Sequence, residues 1–335
     1  MRCDMQESLL TDKFKRNLSY LRVSITDRCN LNCLYCRPSG CTARLAHEEI
    51  LTYEEILTIL RIAIRLGITK VRITGGEPLV RLDACQFIRE AAALPGLRDV
   101  SLTTNGVLLT RHLDELQAAG IKRLNISLDT LDPHKFYRIT GKDAFAQVWE
   151  GITAALEAGF APVKLNVVVM YGINDSEISE LAALTLDRPL HVRFIEYMPT
   201  ADDHAAEIRQ LLTPEIKQHL ERDLGPLAPI AATDTGGTAE RFRIQGGRGE
   251  IGFISPVSKH FCRTCNRLRL TADGRLKPCL LSDKTRDIKT PLRAGKPEEE
   301  LVHLFRQAVL DKPGYNEDTA RSALSLPQTM SAIGG

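Results

Sequence analysis

Nine cysteines occur in the chain, and six of them form two triads. Cys29, Cys33 and Cys36 lie in TDRCNLNCLYC; Cys262, Cys265 and Cys279 lie in FCRTCNRLRLTADGRLKPCL. Thiolates at such spacings ligate zinc or iron–sulfur clusters. Structural zinc takes four ligands, yet no histidine lies close to Cys36, and Cys41 serves as a fourth ligand only if RPSGC folds back. A [4Fe–4S] cluster on three thiolates keeps one iron open, where a small molecule binds and reacts. The first triad reads as that arrangement. The second stays open to two readings. Its spacing suits a zinc ribbon completed by His260, while Arg267 and Arg269, alternating on one strand face, suit a second open cluster beside an anionic substrate. Cys3, Cys41 and Cys85 are scattered and receive no role.

These ligands need a frame. Candidate strands LRVSIT, KVRIT, VSLTT, RLNISL, VKLNVVVM and HVRFIEYM alternate with amphipathic segments through about residue 198. The segment after Leu51 carries a capping box, Thr52 with Glu55, and stops at Gly67; two others stop at Gly120 and Gly159. Six strand–helix units imply parallel pairing with right-handed crossovers, an α/β fold. Six are too few for an eight-strand barrel, so an incomplete barrel or a doubly wound sheet is expected. Residues 1–200 form the barrel in this reading. Residues 201–335 form a C-terminal region packed against it, with a helix in PEEELVHLFRQAVL.

The unusual residues fall at strand C-terminal ends, where ligands bind in parallel α/β folds. The cysteine loop follows strand one, TGGEP ends strand two, TTNG strand three, SLDT strand four, and Met198 follows strand six. Buried parallel strands are normally apolar throughout, yet Arg22, Arg72 and Lys164 interrupt them. The two-residue period places each on the face shared with Ser24, Thr74 or Asn166. If that face is internal, the cations need an anionic partner, and phosphate is the natural one.

Composition excludes several classes. Hydrophobic residues make up 43% and charged residues 26%, with a net charge of +2. Nothing here implies a nucleic-acid field, and no apolar run spans a membrane. The N-terminus lacks a secretory pattern, so a reducing, cytoplasmic location is expected. Glu77 and Asp129 at strand ends fit hydrogen-bonding roles better than acid–base catalysis.

C-x3-C-x2-C after a first strand, with Tyr35 before the last cysteine and GGEP one strand later, resembles the radical S-adenosylmethionine (SAM) superfamily. The second triad, its two arginines and the closing MSAIGG narrow the resemblance to the GTP 3′,8-cyclase family of molybdenum cofactor biosynthesis. That resemblance implies an incomplete (βα)6 TIM-like barrel whose open side the C-terminal region covers. It implies two [4Fe–4S] clusters, on Cys29, Cys33 and Cys36 and on Cys262, Cys265 and Cys279. SAM would contact Tyr35, Gly76, Ser127 and Met198. GTP would contact Arg22, Arg72, Thr103, Lys164, Arg267, Leu268 and Arg269. The terminal Gly334 and Gly335 would reach into the site and support catalysis.

The implied reaction is cyclisation of GTP to (8S)-3′,8-cyclo-7,8-dihydroguanosine 5′-triphosphate. A 5′-deoxyadenosyl radical removes the ribose 3′ hydrogen, and C3′ then bonds to C8 of guanine. The implied partners are a flavodoxin-like or ferredoxin-like electron donor, a downstream pyranopterin synthase and a second copy of the chain. The alternative within the superfamily is a peptide-modifying enzyme with an auxiliary Fe–S cluster. The alternative outside it is a zinc-holding, nucleic-acid-binding scaffold.

Overall fold

The computed structural model describes residues 9–36, 44–198, 209–231 and 238–314. Cys3, Cys41, Gly334 and Gly335 lie outside the described residues, as does the expected boundary near residue 200.

The first six strands are β1 (Tyr20–Ser24), β2 (Lys70–Thr74), β3 (Asp99–Thr104), β4 (Leu124–Ser127), β5 (Val163–Val169) and β6 (Leu190–Glu196). Each pairs in parallel with the next. The helices between them are α1 (Tyr53–Arg65), α2 (Ala84–Ala92), α3 (Leu109–Ala118), α4 (Pro133–Thr140), α5 (Phe145–Glu157) and α6 (Ile178–Asp187). The expected capping box opens α1: Glu55 N–H donates to Thr52 Oγ1 at 3.2 Å, and Thr52 N–H to Glu55 Oε2 at 2.7 Å. Gly67, just past its end, has φ +98°, a conformation open to glycine.

After α7 (Thr213–Leu224), the C-terminal region does more than pack against this sheet: it extends it. Strands β7 (Leu227–Pro229), β8 (Glu240–Ile244) and β9 (Glu250–Ile254) join at the β6 edge, with β9 parallel to β6. Strands β10 (Arg267–Leu270), β11 (Arg275–Lys277) and β12 (Arg286–Asp287) join at the β1 edge, with β10 parallel to β1. Helices α8 (Lys289–Arg293) and α9 (Glu298–Leu310) follow. The result is one twelve-stranded sheet. Its central strands form the partial (βα)6 barrel, and the C-terminal region occupies both of the barrel's edges.

The period-two pattern sorts the faces. Leu21, Val23, Val71, Ile73, Leu124, Leu165, Val192, Phe194, Ile251 and Leu268 are buried on one face, in the same core as Ile59, Ile62, Phe87, Leu116 and Ile152 of the helices. The other face carries the polar residues. Burial of the apolar face contributes roughly 25 cal/mol per Å² removed from water, which is what holds the polar face in its inward position.

Candidate radical SAM and nucleotide site

Register places the strand cations side by side. Arg269 of β10 pairs with Arg22 of β1, and Arg22 with Arg72 of β2. One row on three adjacent strands therefore presents three guanidiniums. A second row runs Thr103, Asn125, Lys164, His191 across β3 to β6. Ser127, Asn166, Arg193 and Gly252 form a third, reaching β9. Thr103, Arg22, Arg72, Lys164 and Arg269 thus share one surface, which strand spacing predicted for Arg22, Arg72 and Lys164. Leu268 belongs to the opposite, apolar face and is fully buried.

Electrostatically this surface is overloaded with positive charge. Burial, with Arg269 and Arg72 alongside, holds the Arg22 guanidinium well below its ordinary range. Burial and Arg267 lower Arg269 to about 10. Burial, with Arg193 and other arginines nearby, lowers Lys164 to about 7. Among the described residues, Arg193 Nε, Arg267 Nη2, Thr103 Oγ1 and Asn166 Oδ1 are buried with no hydrogen-bond partner. Such orphaned groups each cost roughly 1–3 kcal/mol, and a polyanion on this face would satisfy the donors among them, Arg193 Nε, Arg267 Nη2 and the Thr103 hydroxyl.

Sequence reasoning missed Arg193. It is 8% exposed, its Nη2 donates to Asn125 Oδ1 at 2.5 Å, and burial together with Arg72 lowers it to about 9. The signal was available, since Arg193 interrupts an apolar strand just as Arg22 does.

The first triad sits at the C-terminal end of β1. Glycines in GGEP hold it there. Gly76 N–H donates to Thr26 O at 2.7 Å and Glu77 N–H to Arg28 O at 2.8 Å. A Cβ on Gly76 would lie 2.3 Å from Arg28 O. The bare backbone thus admits the cysteine loop itself. Glu77 accepts from Leu79 N–H at 3.0 Å, Thr104 Oγ1 at 2.8 Å and Asn105 N–H at 2.6 Å, while burial raises it to about 7. Asn105 Nδ2 in turn donates to Asn30 Oδ1 at 2.7 Å and to Cys29 Sγ at 3.6 Å. Tyr35 donates its hydroxyl to Asp129 Oδ2 at 2.8 Å, tying the loop to the end of β4. Burial raises Asp129 to about 6, and burial with Cys36, Asp129 and Cys29 close by raises the Cys33 thiol. Ser127 ends β4 and Met198 follows β6, both half-buried on the same rim as Gly76.

The second triad lies at the opposite end. Cys262 opens a short turn, and Cys265 precedes β10, whose first residue, Arg267, pairs with Tyr20 at the start of β1. Lys312, 3% exposed, donates to Arg267 O at 2.7 Å and to Pro278 O at 2.8 Å, beside Cys279. Arg16 donates to Cys262 O at 2.5 Å. Burial pushes the Cys265 thiol up, but Lys312 and Arg267 outweigh it and leave the thiol below its ordinary value. From Tyr20 to Ser24, four residue steps at roughly 3.3 Å make β1 about 13 Å long, and the two triads lie beyond its opposite ends.

Among the described residues, ligand atoms gathered within 4.8 Å of one another are those of Cys85, His112 and Glu115, and not those of either triad. A tetrahedral zinc with Zn–S of about 2.3 Å draws its sulfurs to within about 3.8 Å. Three thiols set wider than that are compatible with a polynuclear cluster.

Comparison with known proteins bears on the whole chain. The radical SAM superfamily matches residues 23–185, and the molybdenum cofactor synthesis C family matches residues 190–317. A GTP 3′,8-cyclase of Moorella thermoacetica is 50% identical over 97% of this chain and 100% of its own length. That of Thermodesulfovibrio yellowstonii is 48% identical over the same shares. The chain belongs to the GTP 3′,8-cyclase family. Members of this family are radical SAM enzymes, and the α/β partial barrel described above is their fold. Streptococcus suis SuiB, solved bound to S-adenosylmethionine, superposes with a TM-score of 0.63 over 94% of this chain and 77% of its own, at 14% identity. That likeness is one of fold, and it does not favour the peptide-modifying alternative. Among the described residues no helix is long and apolar enough to cross a membrane.

Proposed function

We propose that this chain cyclises GTP to (8S)-3′,8-cyclo-7,8-dihydroguanosine 5′-triphosphate, the first step of molybdenum cofactor biosynthesis. The observation that carries the reading is the row Arg269–Arg22–Arg72, set between two thiol triads at opposite ends of the same strands. Cys29, Cys33 and Cys36 would hold a [4Fe–4S] cluster, with SAM against Tyr35, Gly76, Ser127 and Met198. Cys262, Cys265 and Cys279 would hold a second. With SAM bound there, the chemistry supplied would be that of a 5′-deoxyadenosyl radical directed at the ribose 3′ hydrogen.

The chain's own residues position and shield. Arg22, Arg72, Arg269, Lys164 and Thr103 neutralise and orient the triphosphate, which carries roughly four negative charges. Arg267 stands at the second triad's end, where the guanine would lie. A triphosphate pinned in the row fixes the ribose so that a single C–H faces the first triad, the positioning on which such a step depends. Gly334 and Gly335 enter this reading from the family resemblance. So do the homodimer, the downstream pyranopterin synthase and the division near residue 200. A one-electron donor is needed to start the reaction, and the family resemblance makes it flavodoxin-like or ferredoxin-like; a cytoplasmic setting suits thiols that must stay reduced.

The test is anaerobic incubation of the cluster-loaded protein with GTP, SAM and dithionite. The reading requires 5′-deoxyadenosine and a cyclised nucleotide, each dependent on the other substrate. Turnover of SAM that ignores GTP, with no GTP affinity, would return the peptide-modifying alternative. A colourless protein without iron would favour the zinc scaffold.

A further inference from the structure

Cys85, the scattered cysteine among the described residues, does not stand alone. It is the second residue of α2, on the face turned to the core, and is 3% exposed. Against it, α3 presents His112 and Glu115 one turn apart on one face. The Cys85 sulfur, a His112 ring nitrogen and a Glu115 carboxylate oxygen all lie within 4.8 Å of one another. An independent observation points to a ligand here: His112 Nδ1 is buried and has no hydrogen-bond partner among the described residues. Its nearest charge is Glu115 Oε1, at 4.0 Å. A buried nitrogen left so calls for an explanation, and the neighbouring groups are two metal ligands.

We infer that Cys85, His112 and Glu115 form a zinc site clamping α2 to α3, separate from both cysteine triads. One thiolate, one imidazole and one carboxylate suit zinc and not magnesium or calcium, which take oxygen ligands. The tetrahedral distances of about 2.0–2.3 Å need donor atoms a little under 4 Å apart, a small side-chain adjustment from the observed spread. Half-exposed His112 and exposed Glu115 leave an entry path and a fourth position for water, while Cys85 closes the inner side. Binding forms Zn–S, Zn–N and Zn–O bonds and releases the Cys85 thiol proton to solvent. The clamp joins the helices that follow the GGEP and TTNG loops.

The experiment uses the full chain with both clusters loaded, so that the six triad thiols are occupied. Zinc chloride is titrated anaerobically by calorimetry in two buffers of different ionisation enthalpy, and zinc-soaked crystals are measured at the zinc edge. The inference requires one equivalent bound with release of about one proton, and an anomalous peak between α2 and α3. Cys85→Ala and His112→Gln should each weaken binding at least on the order of 100-fold, the upper end of what losing an outer-shell partner costs. His112→Gln, on the half-exposed side, remains informative if Cys85→Ala fails to fold. No zinc uptake overturns the inference, as does uptake equal in wild type and variants or a peak at another place. Iron content and GTP affinity of the variants stay at wild-type levels, which separates this outcome from a failure of the cyclase reading.

Discussion

Arg193 on β6 and Gly252 on β9 face each other in register, and a Cβ on Gly252 would come within 2.9 Å of Arg193 Cγ. The glycine is the space in which the arginine lies. Gly252→Ala therefore displaces the guanidinium from the polar surface without touching a ligand. GTP affinity should fall about tenfold or more, the loss of one charge-assisted hydrogen bond of roughly 1.5–3 kcal/mol. Iron content and SAM binding should stay constant. Unchanged GTP binding in both Gly252→Ala and Arg193→Met would remove Arg193 from the site.

Gly76→Ala tests the docking of the cysteine loop. Its Cβ has no room beside Arg28 O, which is backbone and cannot swing aside. The loop must retreat from β2 and carry Cys29 with it. Iron per chain should drop to about half, the second triad keeping its share, while GTP affinity persists. Full iron content in this variant would show that the loop has another anchor.

Asn105 addresses the electronics of the first triad. Its amide lies against Cys29 Sγ. Hydrogen bonds to cluster sulfurs favour the reduced, more negative state and raise its potential. Asn105→Ala should lower the midpoint potential of the first cluster, followed by electron paramagnetic resonance under controlled potential. A potential identical to wild type would leave Asn105 as a loop brace through Asn30 alone.

Lys164 gives a pH dependence. Its folded value of about 7 lies below the ordinary 10.5, with burial the main cause. Between these values the unfolded chain holds a proton that the folded chain lacks, so ligand-free protein gains stability as pH rises from about 7 toward 10.5. A bound triphosphate reverses the preference and draws a proton onto Lys164. Nucleotide binding at pH 8 should take up protons, and the wild-type advantage over Lys164→Met should shrink roughly tenfold per pH unit above 7. Calorimetry in paired buffers measures the uptake. Identical proton counts in the two proteins would contradict this assignment.

Much of this was legible from local chemistry. The box of Thr52 with Glu55, the stop at Gly67 and the cations on alternating strand positions follow from rules that span a few residues. Arg22 and Arg72 announce themselves because they interrupt runs that burial should make apolar. Less legible was anything set by pairing between distant segments. EIGFI and RLRL carry no mark that they join a parallel sheet at opposite edges. Lys312, just past the PEEELVHLFRQAVL helix, carries no mark in the sequence, yet it donates to the backbone at Arg267 and Pro278, beside the second triad. The family resemblance implies SAM at Gly76, and nothing local in GGEP shows that the same bare backbone also admits the cysteine loop.

The placement of β10 against β1 has a consequence for the order of events in the cell. Strand β1, made early, takes as its outer neighbour a strand that begins only at Arg267, with most of the chain made in between. Until then the β1 edge stays open, the kind of exposed edge that invites wrong pairing. Contacts so far apart in sequence also form slowly. Neither the arginine row nor the distance between the two thiol triads exists before that late closure. Iron delivered to the nascent first triad would meet a pocket with one wall missing, so cofactor insertion belongs after synthesis.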